Sequence, residues 1–149
     1  MRIYPALVMR GTALHAMYQR GEYRPWDLEK TVRALKTAVQ RLDQAGIPVI
    51  RMGLHAEPSL HEGYVDGPHH PALRSLVESS LCLDQMVRLL DRAGVLPERV
   101  IFKVPLRRVS NYTGHCKANI KALKSRYPGK SFVFQPTAEL STLELNLHN

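Results

Sequence analysis

A segment with helical periodicity stands between two β-branched apolar runs, and that order limits what this chain can fold into more than any other feature. Leu28, Val32, Leu35, Val39 and Leu42 recur at steps of four, three, four and three, the spacing of a one-faced amphipathic helix. Asp27 stands where an N-cap would sit and Gly46 at the C′ position. Ahead of it, Ile3 to Met9 reads as a short, largely buried strand with Pro5 near its start. A brief helix opened by Gly11-Thr12 and closed by Gly21 separates the two. Behind it runs Ile47-Pro48-Val49-Ile50-Arg51-Met52-Gly53-Leu54, a second strand after a glycine-marked helix end. Strand, helix and strand in that order mean a right-handed crossover and a parallel pair.

Residues 55–71 form a loop rich in Pro, Gly and His. A third helix is expected from about Ala72 to Ala93, with Leu73, Leu76, Leu83, Val87 and Leu90 on one stripe and Gly94 as its stop. Past Pro97, Val100 to Val104 reads as a strand. Shorter elements follow: a basic turn or helix, Gly114, a helix from about Ala118 to Tyr127, Pro128-Gly129, and a strand from Ser131 to Gln135. The fold class is therefore α/β, with residues 1–95 carrying the parallel βαβ part and residues 96–149 a small α+β lobe.

With 149 residues, 44% hydrophobic and 23% charged, the chain can bury a core and is not a large multidomain enzyme. Two cysteines, Cys82 and Cys116, are too few for a four-cysteine zinc site or for three-cysteine ligation of an iron–sulfur cluster. The first apolar run ends at Arg10, too short for a secretory leader, and no run reaches the roughly 18 residues of a membrane span. These features point to a cytoplasmic protein with reduced thiols and no membrane partner.

Charge is segregated. The segment Arg99 to Lys130 holds nine basic residues: Arg99, Lys103, Arg107, Arg108, Lys117, Lys121, Lys124, Arg126 and Lys130. It holds no acidic residue. Removing those nine from the chain's 21 Lys and Arg leaves 12 against 13 acids, so the net charge of +8 belongs to this one segment. Such a patch is a footprint for phosphate, and nucleic acid is its commonest source. The plainer explanation is a solvated basic face that keeps a small lobe soluble.

Arg2-Ile3-Tyr4-Pro5-Ala6-Leu7-Val8, the Gly21-Glu22-Tyr23-Arg24-Pro25 turn, Val49 to Leu54, and Gly67-Pro68-His69-His70-Pro71-Ala72-Leu73-Arg74-Ser75-Leu76-Val77-Glu78-Ser79 carry a likeness that covers most of residues 2–80. Together they resemble the C-terminal half of bacterial radical S-adenosylmethionine proteins related to the Elongator catalytic subunit, also described as oxygen-independent coproporphyrinogen oxidase-like. The resemblance implies that Ile3 to Val8 and Val49 to Leu54 are late strands of a partial (β/α) barrel. It places Arg51, His55, His70 and Arg74 near the barrel mouth, as substrate-binding candidates. The family's cluster motif, C-x3-C-x2-C, has no counterpart here. On that reading Met1 is a cut or a degenerate start, and this chain by itself carries no cofactor. The parent would use S-adenosylmethionine and a 4Fe-4S cluster on a partner part N-terminal to these residues.

Val109 to Leu123 resembles the core of a KH domain, in which G-x-x-G joins two helices ahead of I-x-x-L and the backbone clamps about four nucleotides. Gly114, Ile120 and Leu123 match, and Lys117 stands where the second glycine would be. The resemblance makes Arg107, Arg108, Gly114, Lys117, Lys121 and Lys124 the RNA-binding candidates. A basic helix start attracts anions independently of that likeness.

Two further clusters carry less. His55, His61, His69 and His70 share a loop with Glu57, Glu62 and Asp66, but their gaps are irregular for a zinc site. His70 also reads as a cap of the following helix, and Arg74 with Glu78 as an i, i+4 surface pair. Cys82 lies in an apolar helix and reads as inert core. Cys116 lies beside His115 and Lys117, neighbours of the kind that make a thiol reactive, yet no orienting acid accompanies it. The function expected is the substrate side of a radical enzyme acting on tRNA or another RNA and not catalytic alone. The alternatives are a non-catalytic KH-like RNA-binding module, a porphyrin-directed relative, and a partner-docking fragment whose open strand edges need covering.

Overall fold

The computed structural model describes residues 1–54 and 62–147. The fold is α/β and divides into two compact units, Met1–Val77 and Glu78–Asn149.

In the first unit, strand β1 (Arg2–Ile3) pairs in parallel with β3 (Arg51–Met52), Arg2 opposite Arg51 and Ile3 opposite Met52. The expected parallel pair is present but short. Pro5 has no N–H to give a ladder, and the run expected as one strand from Ile3 to Met9 breaks there. Its second half, β2 (Val8–Met9), pairs antiparallel with β4 (Tyr64–Asp66). Strand β4 corrects the expectation of a plain loop over residues 55–71. These are two separate two-stranded sheets, and the described residues form no barrel.

Helix α1 (Ala13–Gln19) begins on Thr12, whose hydroxyl accepts from the His15 amide at 3.2 Å. Helix α2 (Leu28–Gln44) begins on the expected cap, with the Asp27 carboxylate accepting from the Lys30 amide at 2.6 Å. It ends in a Schellman turn: Gly46 N–H reaches Asp43 O, Ile47 N–H reaches Leu42 O, and Gly46 takes φ +69°. Among the described residues of this unit, Val8, Leu35, Leu73 and Val77 are buried.

Helix α3 (Leu73–Ala93) is long, and its buried stripe is Leu73, Val77, Cys82, Met86 and Leu90. Leu73 and Leu90 of the expected stripe are buried, whereas Leu83 and Val87 are half-buried against this core and Leu76 is half-buried. Sequence periodicity cannot separate adjoining apolar rows, and the neighbouring sheet selects between them. In the second unit that sheet has the order β6–β5–β7. Strand β5 (Arg99–Pro105) is central, parallel to β6 (Ser131–Thr137) and antiparallel to β7 (Glu144–Asn146). Val100, Phe102 and Val104 alternate inward and meet Cys82, Met86, Leu90, Tyr112, Leu123 and Phe132 in one core. Between β5 and β6 lie a 3₁₀ turn (Leu106–Arg108), helix α4 (Val109–Thr113) and helix α5 (Ala118–Arg126).

Candidate functional site

The basic segment folds into the β5–β6 connection, and its turns are held from beneath. Gly114 ends helix α4 at φ +79°, ψ 159°, a region open to glycine and little else. A β-carbon added there would lie 2.8 Å from the Asn119 backbone nitrogen and 2.9 Å from its Cγ. Asn119 is buried, and its Nδ2 donates to Ser79 O at 2.9 Å, Asn111 O at 3.1 Å and Tyr112 O at 3.1 Å. Two hydrogens serve three carbonyls, so one bond is shared. The chain then passes through Cys116 (φ 49°, ψ 34°) and Lys117 (φ 60°, ψ 29°), two successive non-glycine residues in left-handed conformation. Lys117 therefore has a backbone that glycine adopts without strain.

Arg107, Lys117, Lys121 and Lys124 are exposed and form no ion pair with a described residue. Lys117, Lys121 and Lys124 lie at i, i+4 and i+7, one stripe along the start and body of α5. Arg126 differs, since it pairs with Asp91 at 3.1 Å, where the Tyr127 hydroxyl also donates at 2.6 Å. Lys130 donates to Leu96 O at 2.6 Å. Arg108 lies over the Tyr112 ring, 5.8 Å from its centroid, with Nη2 3.7 Å from the Cys82 sulfur. Arg108 also lines a cleft of about 220 Å³ with Arg88 and Arg92 of α3. Those two arginines were not among the sequence candidates, because the uncompensated run of charge begins only at Arg99. Their i, i+4 spacing was the available signal.

The substrate-binding candidates lie in the first unit. Arg51 is exposed on β3, in register with Arg2. Arg74 Nη1 donates to Ile50 O at 3.4 Å, which brings its guanidinium to the residue beside Arg51. His70 Nδ1 accepts from the Ala72 amide at 3.0 Å and its carbonyl from the Leu73 amide at 3.1 Å, bonds that close the turn ahead of helix α3. His55 and His61 lie outside the described residues. Glu78, weighed as a surface partner of Arg74, accepts from Asn111 Nδ2 at 2.9 Å. A separate apolar cavity of about 380 Å³ is walled by Tyr4, Pro5, Tyr23, Trp26, Leu35 and Pro68.

Residues 1–82 match the family model of the Radical_SAM C-terminal domain. The chain belongs to this family. No curated protein and no solved structure gives a significant match.

Radical SAM chemistry implies a cluster and S-adenosylmethionine, and the described residues do not fit a cluster. Cluster ligation needs several thiolates. This chain has two cysteines; Cys82 is 1% exposed, and burial pushes its thiol up, with only partial opposition from the Arg108 charge. Cys116 is exposed. Among the described residues no three His, Cys, Asp or Glu side chains are grouped to hold a metal ion. No helix of the described residues is long and apolar enough to cross a membrane.

Proposed function

We propose that this chain is the substrate side of a radical SAM protein related to the Elongator catalytic subunit, and that its second unit contacts RNA, with tRNA the class its relatives suggest. The observation that carries the reading is the set of exposed, unpaired cations on one connection: Arg107, Lys117, Lys121 and Lys124, in a segment without a single acid. The KH-like likeness supports it through Gly114, the left-handed Lys117, and the I-x-x-L pair of half-buried Ile120 and buried Leu123. In this reading Arg51 and Arg74 face substrate, and the cluster comes from a cluster-bearing partner part. The exposed apolar side chains of the first unit favour such a partner: Tyr4, Trp26, Ile47, Ile50 and Leu54 are each at least 40% exposed.

The test is binding of the 149-residue chain to a single-stranded RNA across a salt series. Affinity is expected to fall steeply with salt, by a log–log slope of about −0.7 per phosphate contact. Lys117→Glu with Lys121→Glu should weaken binding and flatten that slope. Binding that ignores salt, or that survives the double variant unchanged, refutes the RNA reading and leaves a solvated basic face.

A further inference from the structure

We propose that the cleft formed by Arg88, Arg92 and Arg108 is an anion site that takes a single phosphate group. Arg88 and Arg92 stand one turn apart on α3, about 6 Å along its axis. Arg108 reaches the same cleft from the turn after β5. Its position is set by the Tyr112 ring beneath it and the Cys82 sulfur beside it. Tyr112 is itself fixed: the residue is 1% exposed and its hydroxyl donates to Gln85 Oε1 at 3.3 Å. The floor of the cleft is therefore built before any ligand arrives, which spares the ligand the ordering cost.

The charge of the cleft is uncompensated. Among the described residues no Asp or Glu lines it, and Arg88 and Arg92 form no ion pair with a described residue. Asp91, between them in sequence, is engaged by Arg126 and Tyr127. Three arginines line one cleft, and like charges gathered there repel each other until an anion sits among them. Planar forks of this kind match phosphate oxygens two at a time, which selects phosphate over a spherical anion. Thr142 and Gln85 also line this cavity of about 220 Å³. The anion site does not depend on the RNA reading, but the source of its phosphate does: either an internal phosphodiester or a 5′-terminal monoester of the RNA proposed above.

The experiment compares the wild-type chain with Arg88→Gln plus Arg92→Gln; both positions are exposed, and circular dichroism checks that the variant is folded. Anisotropy measures binding of one RNA sequence carrying either a 5′-phosphate or a 5′-hydroxyl, over a salt series. The double variant is expected to bind several-fold more weakly, with the slope reduced by about 0.7 for one lost phosphate contact. Loss for both RNAs identifies a backbone phosphate, whereas loss for the 5′-phosphorylated RNA alone identifies the terminal one. If wild type binds RNA with a salt slope and the double variant matches it, the cleft proposal is overturned while the RNA reading stands. If wild type binds no RNA, the RNA reading falls and inorganic phosphate decides: a raised melting temperature in wild type but not in the variant upholds the anion site, and no shift in either, or the same shift in both, overturns it.

Discussion

Gly114→Ala should cripple the second unit, and the reason can be divided into two measurable parts. The first is backbone strain. Alanine at φ +79°, ψ 159° occupies a region that costs about 1–3 kcal/mol. The second is collision, because the new methyl would stand 2.8 Å from the Asn119 amide nitrogen. That atom belongs to the first turn of α5 and cannot swing aside like a side-chain tip. Overpacking of this kind costs about 1–3 kcal/mol, and any shift of Asn119 also weakens its bonds to Ser79, Asn111 and Tyr112. The sum is roughly 2–6 kcal/mol, equivalent to a melting temperature at least about 8 °C lower for a unit of this size. Gly129 supplies the control. It has φ +76° with nothing within 4 Å of an added β-carbon, so Gly129→Ala carries the backbone cost alone, about 1–2 kcal/mol. Urea unfolding of both variants gives the difference, which isolates the Asn119 contact. Equal losses in the two would refute the claim that Asn119 fills the space glycine leaves.

Lys117→Gly should move stability and binding in opposite directions: relief of the left-handed backbone adds up to about 1 kcal/mol, while loss of the charge weakens RNA binding in the same salt series. Stability that falls along with affinity would show that the Lys117 side chain supports the fold. Asn119→Asp keeps the shape but removes both donors and places a carboxylate against three carbonyls; a loss of at least about 2 kcal/mol is expected by urea unfolding, and a loss below about 0.5 kcal/mol would mean those bonds do not brace the turn. Alkaline pH should destabilise the second unit, because burial raises both the Cys82 thiol and the Tyr112 hydroxyl. The folded state then holds protons the unfolded state releases, so stability is full below the ordinary thiol value of about 8.5 and declines as pH climbs past it. A urea midpoint unchanged between pH 7.5 and 10 would contradict this, and Cys82→Ala should remove the thiol's share of the slope.

What the sequence made legible was local. The Asp27 cap and the Gly46 stop of α2 sit where the residue types require them, since a cap depends on only four or five consecutive residues. The parallel pairing of Ile3 with Met52 followed from element order. Beyond that, long-range partners decided. Tyr64-Val65-Asp66 is too short a run to announce a strand by itself, and its antiparallel partner, Val8 and Met9, is remote in sequence. The candidate sites divide in the same way. Charge counting located Lys117, Lys121 and Lys124, all exposed, because a run without acids is visible in one dimension. It overlooked Arg88 and Arg92, which join Arg108 only once α3 lies beside the β5 turn. At Gly114 the space beside the missing side chain is occupied by Asn119, a contact five residues away that no spacing rule encodes.

The left-handed lysine bears on the choice between a solvated face and an anion-binding surface. A lobe that needs charge only for solubility can place it anywhere on the outer side of α5, where Lys121 and Lys124 already stand without backbone cost. Lys117 occupies a position where a β-carbon is penalised, directly after Cys116, which bears the same penalty. The strain is tolerated because Asn119 over-determines the turn from inside the core. A buried brace supporting an exposed cation at the N-terminus of a helix, where backbone N–H groups also point outward, arranges partial and full positive charge around one spot. Solubility alone gives no reason for that arrangement, whereas a phosphate seated at the turn does, and the Lys117→Gly variant separates the two by whether the stabilised protein still binds.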